Sequence, residues 1–197
     1  MSERRATIHR QTSETDVSVT IDLDGQGRHA VTTGVGFLDH MLAAMAVHGL
    51  FDITVKTVGD LHIDPHHTIE DTAIVLGRAV DVALDDRAAI ARAGHAYMPM
   101  DEALAFVALD LSGRPYTVFE AVWHTPVIGQ FPTDLVEHFF ESFAVHARLT
   151  LHARLVYGRN DHHGAEALFK ALARALRLAV ERDPRRSDVA STKGSLS

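Results

Sequence analysis

The chain has 197 residues, 46% of them hydrophobic, which is enough to fill a substantial core in one large domain or two closely packed smaller ones. Its formal charge of −7 excludes nucleic acid as the main partner, because a phosphate backbone demands a broad basic face. Cysteine is absent, so disulfides and thiolate metal sites are excluded, and any transition metal must be held by nitrogen and oxygen donors.

The opening segment MSERRATIHRQT is charged and polar, without the apolar stretch of a signal peptide, and no run of 18 or more apolar residues follows. A soluble, cytoplasmic protein with no membrane partner is expected. ATIHRQT, DVSVTIDLD and HAVTTGV alternate β-branched with polar residues around the Gly25-Gln26-Gly27 turn and read as three strands. FLDHMLAAMAVHG has apolar residues at helical spacing and stops at Gly49, and FDITVKTVG returns to a period of two. TIEDTAIVLGRAVDVAL is helical again, with Ile69, Ala73, Leu76 and Val80 on one face. A short strand near GHAYMPM leads into the strands EALAFVALDLSG and PYTVFEAVW, separated by a Gly113-Arg114-Pro115 turn. Then come the helix DLVEHFFESFAVHA, the strand RLTLHARLVYG and the long helix AEALFKALARALRLAVE. The closing RDPRRSDVASTKGSLS has no periodic apolar content and reads as a tail.

The two halves repeat each other. The acid-His pair Asp39-His40 falls on Glu137-His138, the AVH of Ala46 to His48 on Ala144 to His146, and the HHxxE of His66 to Glu70 on that of His162 to Glu166. Three spaced histidine features in the same order are the signature of an internal duplication. The predicted architecture is α+β, with two β-β-β-α-β-α units over residues 1–92 and 93–182, a tail over 183–197, and two sheets each carrying helices on one face.

The chain holds 14 histidines but only three lysines, Lys56, Lys170 and Lys193. Successive helical side chains diverge by about 100°, so His66 and His67 cannot easily share one ion, whereas either can pair with Glu70 at i+4 or i+3. Adjacent histidines therefore point to two ions, or to one ion and a neighbouring subunit. With His162, His163 and Glu166 as the second copy and His40 and His138 from the paired helices, six imidazoles and two carboxylates divide into two sites of three His and one Glu. Such sets suit Mn, Fe, Co, Ni or Zn. His48 and His146 end helices, where capping competes with substrate contact. His9, His29, His62, His95, His124 and His152 read as ordinary strand or turn residues, and Asp39, Asp71 and Glu137 as acids that orient imidazoles or close helix ends.

The segments GFLDHM, HHTIEDTAI, DLSGRPY, EHFFESF, NDHHGAEALFKALARAL and STKGSL resemble the imidazole glycerol-phosphate dehydratase family, over about Arg10 to Leu196. The resemblance implies a fold like ribosomal protein S5 domain 2 and a hydro-lyase acting in histidine biosynthesis. It also implies two Mn2+ ions per active site and a 24-subunit homo-oligomer with active sites between subunits. It assigns His40, His66, His67, Glu70, His138, His162, His163 and Glu166 to the metals, and Glu14, Glu70 and Glu166 to catalysis. Substrate contacts fall to Glu14, His48 and a phosphate-binding set of Arg92, Arg114, Lys170, Ser191 and Lys193. Arginine grips phosphate with a fork and lysine with a point charge. Dehydrating imidazole glycerol phosphate removes a carbon-bound hydrogen with no adjacent carbonyl to acidify it. Holding the ring as imidazolate lets it expel the side-chain hydroxyl through a diazafulvene, with the metals as Lewis acids and template. A dinuclear metallohydrolase and a non-catalytic, metal-clipped shell are the competing accounts of the same histidines.

Overall fold

The computed structural model describes residues 3–196, so Met1, Ser2 and Ser197, which the expected first unit and tail include, lie outside the described residues. The first half runs β1 (Arg5–Gln11), β2 (Thr15–Asp22), β3 (His29–Thr32), α1 (Gly36–Gly49), β4 (Asp52–Gly59) and α2 (His66–Leu84). The second runs β5 (Ala93–Met100), β6 (Ala103–Asp110), β7 (Tyr116–Glu120), β8 (Val127–Ile128), β9 (Phe131–Pro132), α3 (Asp134–His146), β10 (Thr150–Tyr157) and α4 (Asp161–Val180).

The sheets have matching orders, β1-β2-β4-β3 and β5-β6-β10-β7. In each, the third strand of the unit pairs parallel with the strand between its helices, and the other pairings are antiparallel. The duplicated β-β-β-α-β-α pattern is therefore present in full. Two details differ from the expectation. The strand near GHAYMPM spans eight residues and pairs with β6 along its length. Between β7 and α3 the second unit adds the β8–β9 hairpin, which the first unit lacks and no sequence periodicity signalled.

Alternation decides which sheet face is covered. Val17, Val19 and Ile21 of β2 and Ala105, Val107 and Leu109 of β6 are buried, while the residues between them are not. Helices α2 and α4 lie on these inner faces, α2 on β1 and β2, α4 on β5 and β6. The helices also pack across the duplication, α1 against α4 and α2 against α3. All four are thus sandwiched between the sheets, and the predicted stripe of Ile69, Ala73, Leu76 and Val80 is fully buried there. Phe139, Phe140 and Phe169 join α3 to α4 through ring contacts of 4.9 and 5.1 Å.

The α2–α3 contact is close enough to need a glycine. A Cβ on Gly77 would lie 2.6 Å from the carbonyl oxygen of Phe143 and 2.9 Å from the amide nitrogen of Ala147, both backbone atoms that cannot turn aside. Alanine gains roughly 1 kcal/mol of helix propensity over glycine, but overpacking against rigid backbone costs roughly 1–3 kcal/mol. We expect Gly77→Ala to be net destabilising, seen as a lower urea midpoint. Gly77→Val should lose more.

Candidate metal centre

Each histidine pair opens a helix. Asn160 caps α4 by accepting from the His162 and His163 amides at 2.9 and 3.4 Å, and Asp64 accepts from the His66 amide at 2.8 Å. The first turn fixes the pairs, and helical geometry then sends the two imidazoles of each pair in different directions.

The first imidazole of each pair turns into the contact between units. His162 of α4 meets Glu166 one turn on and His40 of α1, with both Nε2 atoms 3.3 Å from Glu166 Oε2. His66 of α2 meets Glu70 at 3.9 Å and stacks at 4.8 Å on His138 of α3, whose Nε2 is 3.3 Å from Glu70 Oε1. In each trio the candidate ligand atoms lie within 4.8 Å of one another. The donors fit a divalent ion, and one observation argues for it directly: His138 Nε2 is buried with no hydrogen-bond partner, its approach to Glu70 failing hydrogen-bond geometry. A buried imidazole nitrogen without a partner is costly unless something binds it.

The second imidazoles, His67 and His163, join neither trio, so the anticipated three-His sites are only two-His sites within one chain. Asp60 Oδ2 holds His67 Nδ1 at 2.9 Å, and Glu102 Oε2 holds His163 Nδ1 at 2.8 Å. These hydrogen bonds raise both histidine pKa values and hold Glu102 down at about 2. A carboxylate on Nδ1 fixes the tautomer that leaves Nε2 as the ligand atom. The His67 Nε2 lies 3.8 Å from Glu14 Oε1, and the His163 Nε2 lies 3.7 Å from Asp101 Oδ2.

Asp60 and Glu102 were not singled out by sequence. Asp60 is six residues before the His66-His67 pair, but Glu102 sits in the β5–β6 turn, far from its histidine in the chain. Of the acids read as orienting imidazoles or closing helix ends, Asp39 and Glu137 stand in the first turns of α1 and α3. Asp39 takes the Thr33 amide and hydroxyl, Asp71 is buried against Arg10 and Thr15, and Glu137 is exposed. His124, read as an ordinary residue, is held at Nδ1 by the buried Asp161 at 3.1 Å, which ties the added hairpin segment to the start of α4.

The substrate residues divide. Arg92, Arg114, Ser191 and Lys193 line one cavity of ≈ 400 Å³ with the tail folded over it. Arg92 stands at φ 73° and forks onto Asp110 at 2.7 and 2.9 Å while also donating to the Ala190 carbonyl. Lys170 is elsewhere: Nζ pairs with Glu166 and lies 3.5 Å from Met100 Sδ. Burial acts to raise the Glu166 pKa, but the Lys170 and His40 hydrogen bonds outweigh it and the net shift is downward. His48 lies two turns along α1 from His40, roughly 12 Å at 1.5 Å per residue. Burial, followed by the Lys170 charge, lowers its pKa. His146, its counterpart, is lowered by burial and by Arg78.

Two clusters of imidazole and carboxylate, repeated on a duplicated α+β frame, and a cavity beside the tail lined by Arg92, Arg114 and Lys193 define a protein with two candidate cation sites and one cationic cavity. The imidazoleglycerol-phosphate dehydratase profile matches residues 33–176. Imidazoleglycerol-phosphate dehydratases of Chloroflexus aggregans and a Roseiflexus species are 58% and 57% identical to the chain, covering 98% and 99% of it and 95% and 98% of their own lengths. The crystal structure of the Staphylococcus aureus enzyme has a TM-score of 0.82 at 38% identity, covering 91% of this chain and 99% of its own, and that of Pyrococcus furiosus IGPD a TM-score of 0.83 at 37%, covering 96% and 100%. The chain belongs to the imidazoleglycerol-phosphate dehydratase family, hydro-lyases of histidine biosynthesis.

Because protons compete with metal for imidazole, and because Asp60 and Glu102 make His67 and His163 hold protons to higher pH, divalent-metal loading should fall as pH drops through the range just above the ordinary histidine value. Metal content after equilibration between pH 8 and pH 6 checks this. Asp60→Ala, which removes that acceptor, should weaken metal affinity about 10–100-fold.

Proposed function

We propose that the chain dehydrates D-erythro-imidazole glycerol phosphate to imidazole acetol phosphate, as a cytoplasmic homo-oligomer of 24 subunits using two Mn2+ ions per active site. His40, His162 and Glu166 would hold one ion and His66, Glu70 and His138 the other. His67 and His163 would complete the sets across a subunit contact. The observation that carries this reading is the duplicated trio with its unpartnered His138 Nε2. When bound, the ions supply Lewis acidity that holds the substrate ring as imidazolate.

The chain's own side chains do the rest. Glu70 and Glu166 are committed to the trios, so Glu14, 3.8 Å from His67 Nε2 and otherwise exposed, is the carboxylate placed to take the carbon-bound proton at its Oε1. Arg114 and Lys193 line the cavity beside the tail and would hold the phosphate, while Arg92, forked on Asp110 and donating to the Ala190 carbonyl, fixes the tail's position there. Lys170, expected by resemblance to contact the phosphate, pairs with Glu166 at the trio and favours its ionised form. His48, whose pKa is lowered by burial and then by the Lys170 charge, lies along the same α1–α4 contact.

No helix among the described residues is long and apolar enough to cross a membrane. The test is turnover of imidazole glycerol phosphate by the Mn2+-loaded chain, with release of inorganic phosphate in place of water loss overturning the proposal. His67→Ala and His163→Ala should lower metal content and oligomer mass together. Lys193→Ala should raise KM tenfold or more with metal content unchanged, and equal metal loss in all three variants would contradict this division.

A further inference from the structure

The duplication places a glutamate on the same hairpin turn of each unit. The β1–β2 and β5–β6 hairpins both turn through two residues, Ser13-Glu14 and Asp101-Glu102. Each turn stands beside the second histidine of its unit, with Glu14 Oε1 3.8 Å from His67 Nε2 and Glu102 Oε2 2.8 Å from His163 Nδ1. The two glutamates are nevertheless used differently. Besides binding His163, Glu102 accepts from the Asn160 and Arg159 amides at 2.8 and 3.2 Å, so the second turn is fastened to the start of α4 through its own carboxylate. In the first unit Asp60 takes the histidine's Nδ1, and the Glu14 carboxylate makes no hydrogen bond among the described residues. Its turn has to be held by other groups.

Those groups lie beneath it. The Thr12 hydroxyl accepts from the Glu14 and Thr15 amides, both at 3.1 Å. The Thr15 hydroxyl and the Arg10 guanidinium both donate to Oδ2 of Asp71, a buried carboxylate on α2. A buried charge is tolerated only when paired and hydrogen-bonded, so the turn and α2 are tied together by groups that each need the other. The second unit has none of this network. Thr15 and Ala103 open β2 and β6, Arg10 and Met98 pair with Val17 and Ala105 at matched rungs, and Thr12 corresponds to Met100. Asp71 and Ala167 each follow the glutamate of their HHxxE turn. Four positions are polar in the unit whose glutamate is free and apolar in the unit whose glutamate is bound.

We propose that Asp71, acting with Arg10 and Thr15, is a positioning residue for Glu14: it holds the turn so that the carboxylate is aimed at His67 while keeping no hydrogen bond of its own. This role rests on the function proposed above for Glu14. Asp71 follows His67 by four residues, so both lie on one face of α2. Hanging the turn from Asp71 therefore sets Glu14 against His67 through a single turn of helix. A proton acceptor must be ordered in advance yet unoccupied, and the network supplies the order without using the acceptor.

The test gives the first unit the second unit's own residues, Arg10→Met with Thr15→Ala and Asp71→Ala. Replacing a buried ion pair wholly by apolar groups is often neutral for stability, and the fold already packs this set at the matched positions, so the variant should fold. On the Mn2+-loaded full chain kcat should fall roughly 100-fold, the scale of a misplaced reacting group, with Mn2+ content unchanged. In a Glu14→Gln background the same exchange should cost nothing further, because a residue that acts through Glu14 has nothing left to act on. Amide hydrogen exchange at Glu14 and Thr15 should quicken about tenfold, while the Asp101-Glu102 turn keeps its rate. Mn2+ loss in step with kcat, a loss that multiplies with that of Glu14→Gln, or unchanged exchange at the first turn would overturn the proposal. Should the triple variant not fold, Thr15→Ala alone is read by the same measures, and an unmoved kcat and turn would again overturn it. A turn that loosens as expected in a chain whose wild type turns over no imidazole glycerol phosphate would sink the functional reading and leave the anchor standing.

Discussion

Helix α1 packs on α4 and α2 on α3, and both contacts cross the duplication. Both imidazole-carboxylate clusters depend on that crossing. Each unit alone supplies one HHxxE turn and one lone histidine, but the lone histidine of each unit belongs to the trio anchored by the other: His40 goes to Glu166 and His138 to Glu70. Neither half can assemble a trio alone, so burial of the helix layer and formation of the sites are one event. The tight approach at Gly77 sits on the same contact as His66, Glu70 and His138, which makes the hydrophobic packing of the sandwich the determinant of ligand spacing.

Much of this was legible in sequence because repetition multiplies weak signals. One HH pair carries little, but two at matched positions with the same Glu mark the candidate ligands, and period-two and period-3.6 patterns mark most strands and both helix pairs. The parts that were not legible depend on contacts between distant residues. Glu102 reaches His163 from a turn 61 positions away, and Asp161 fixes His124 from 37 positions away, so no local pattern could show either. Acids close to the histidines in sequence, such as Asp39 and Asp71, were the natural candidates, and the fold engages them with a threonine and an arginine instead. The β8–β9 hairpin escaped because each strand is two residues long, too short for a period to register.

Lys170 shows how spacing along a helix sets a side chain's neighbours. Its position four residues after Glu166 places both on one helix face. The pairing follows from that spacing, and the tail cavity is left to Arg114, Lys193 and the tethered Arg92.

The duplication has not produced two equivalent sites. Ile74 occupies, after Glu70, the place that Lys170 holds after Glu166. Glu166 is 8% exposed and charge-compensated by a lysine, whereas Glu70 is 33% exposed and its ion pairs among the described residues come only from His66 and His138. The second trio's carboxylate therefore lacks the direct lysine pairing that the first one has. It is also the trio that contains the unpartnered His138 Nε2. Two clusters related by pseudosymmetry thus differ in the ion pairing of their carboxylates and in hydrogen-bond completion, because the duplication kept the HHxxE turn and changed the residue one turn beyond it.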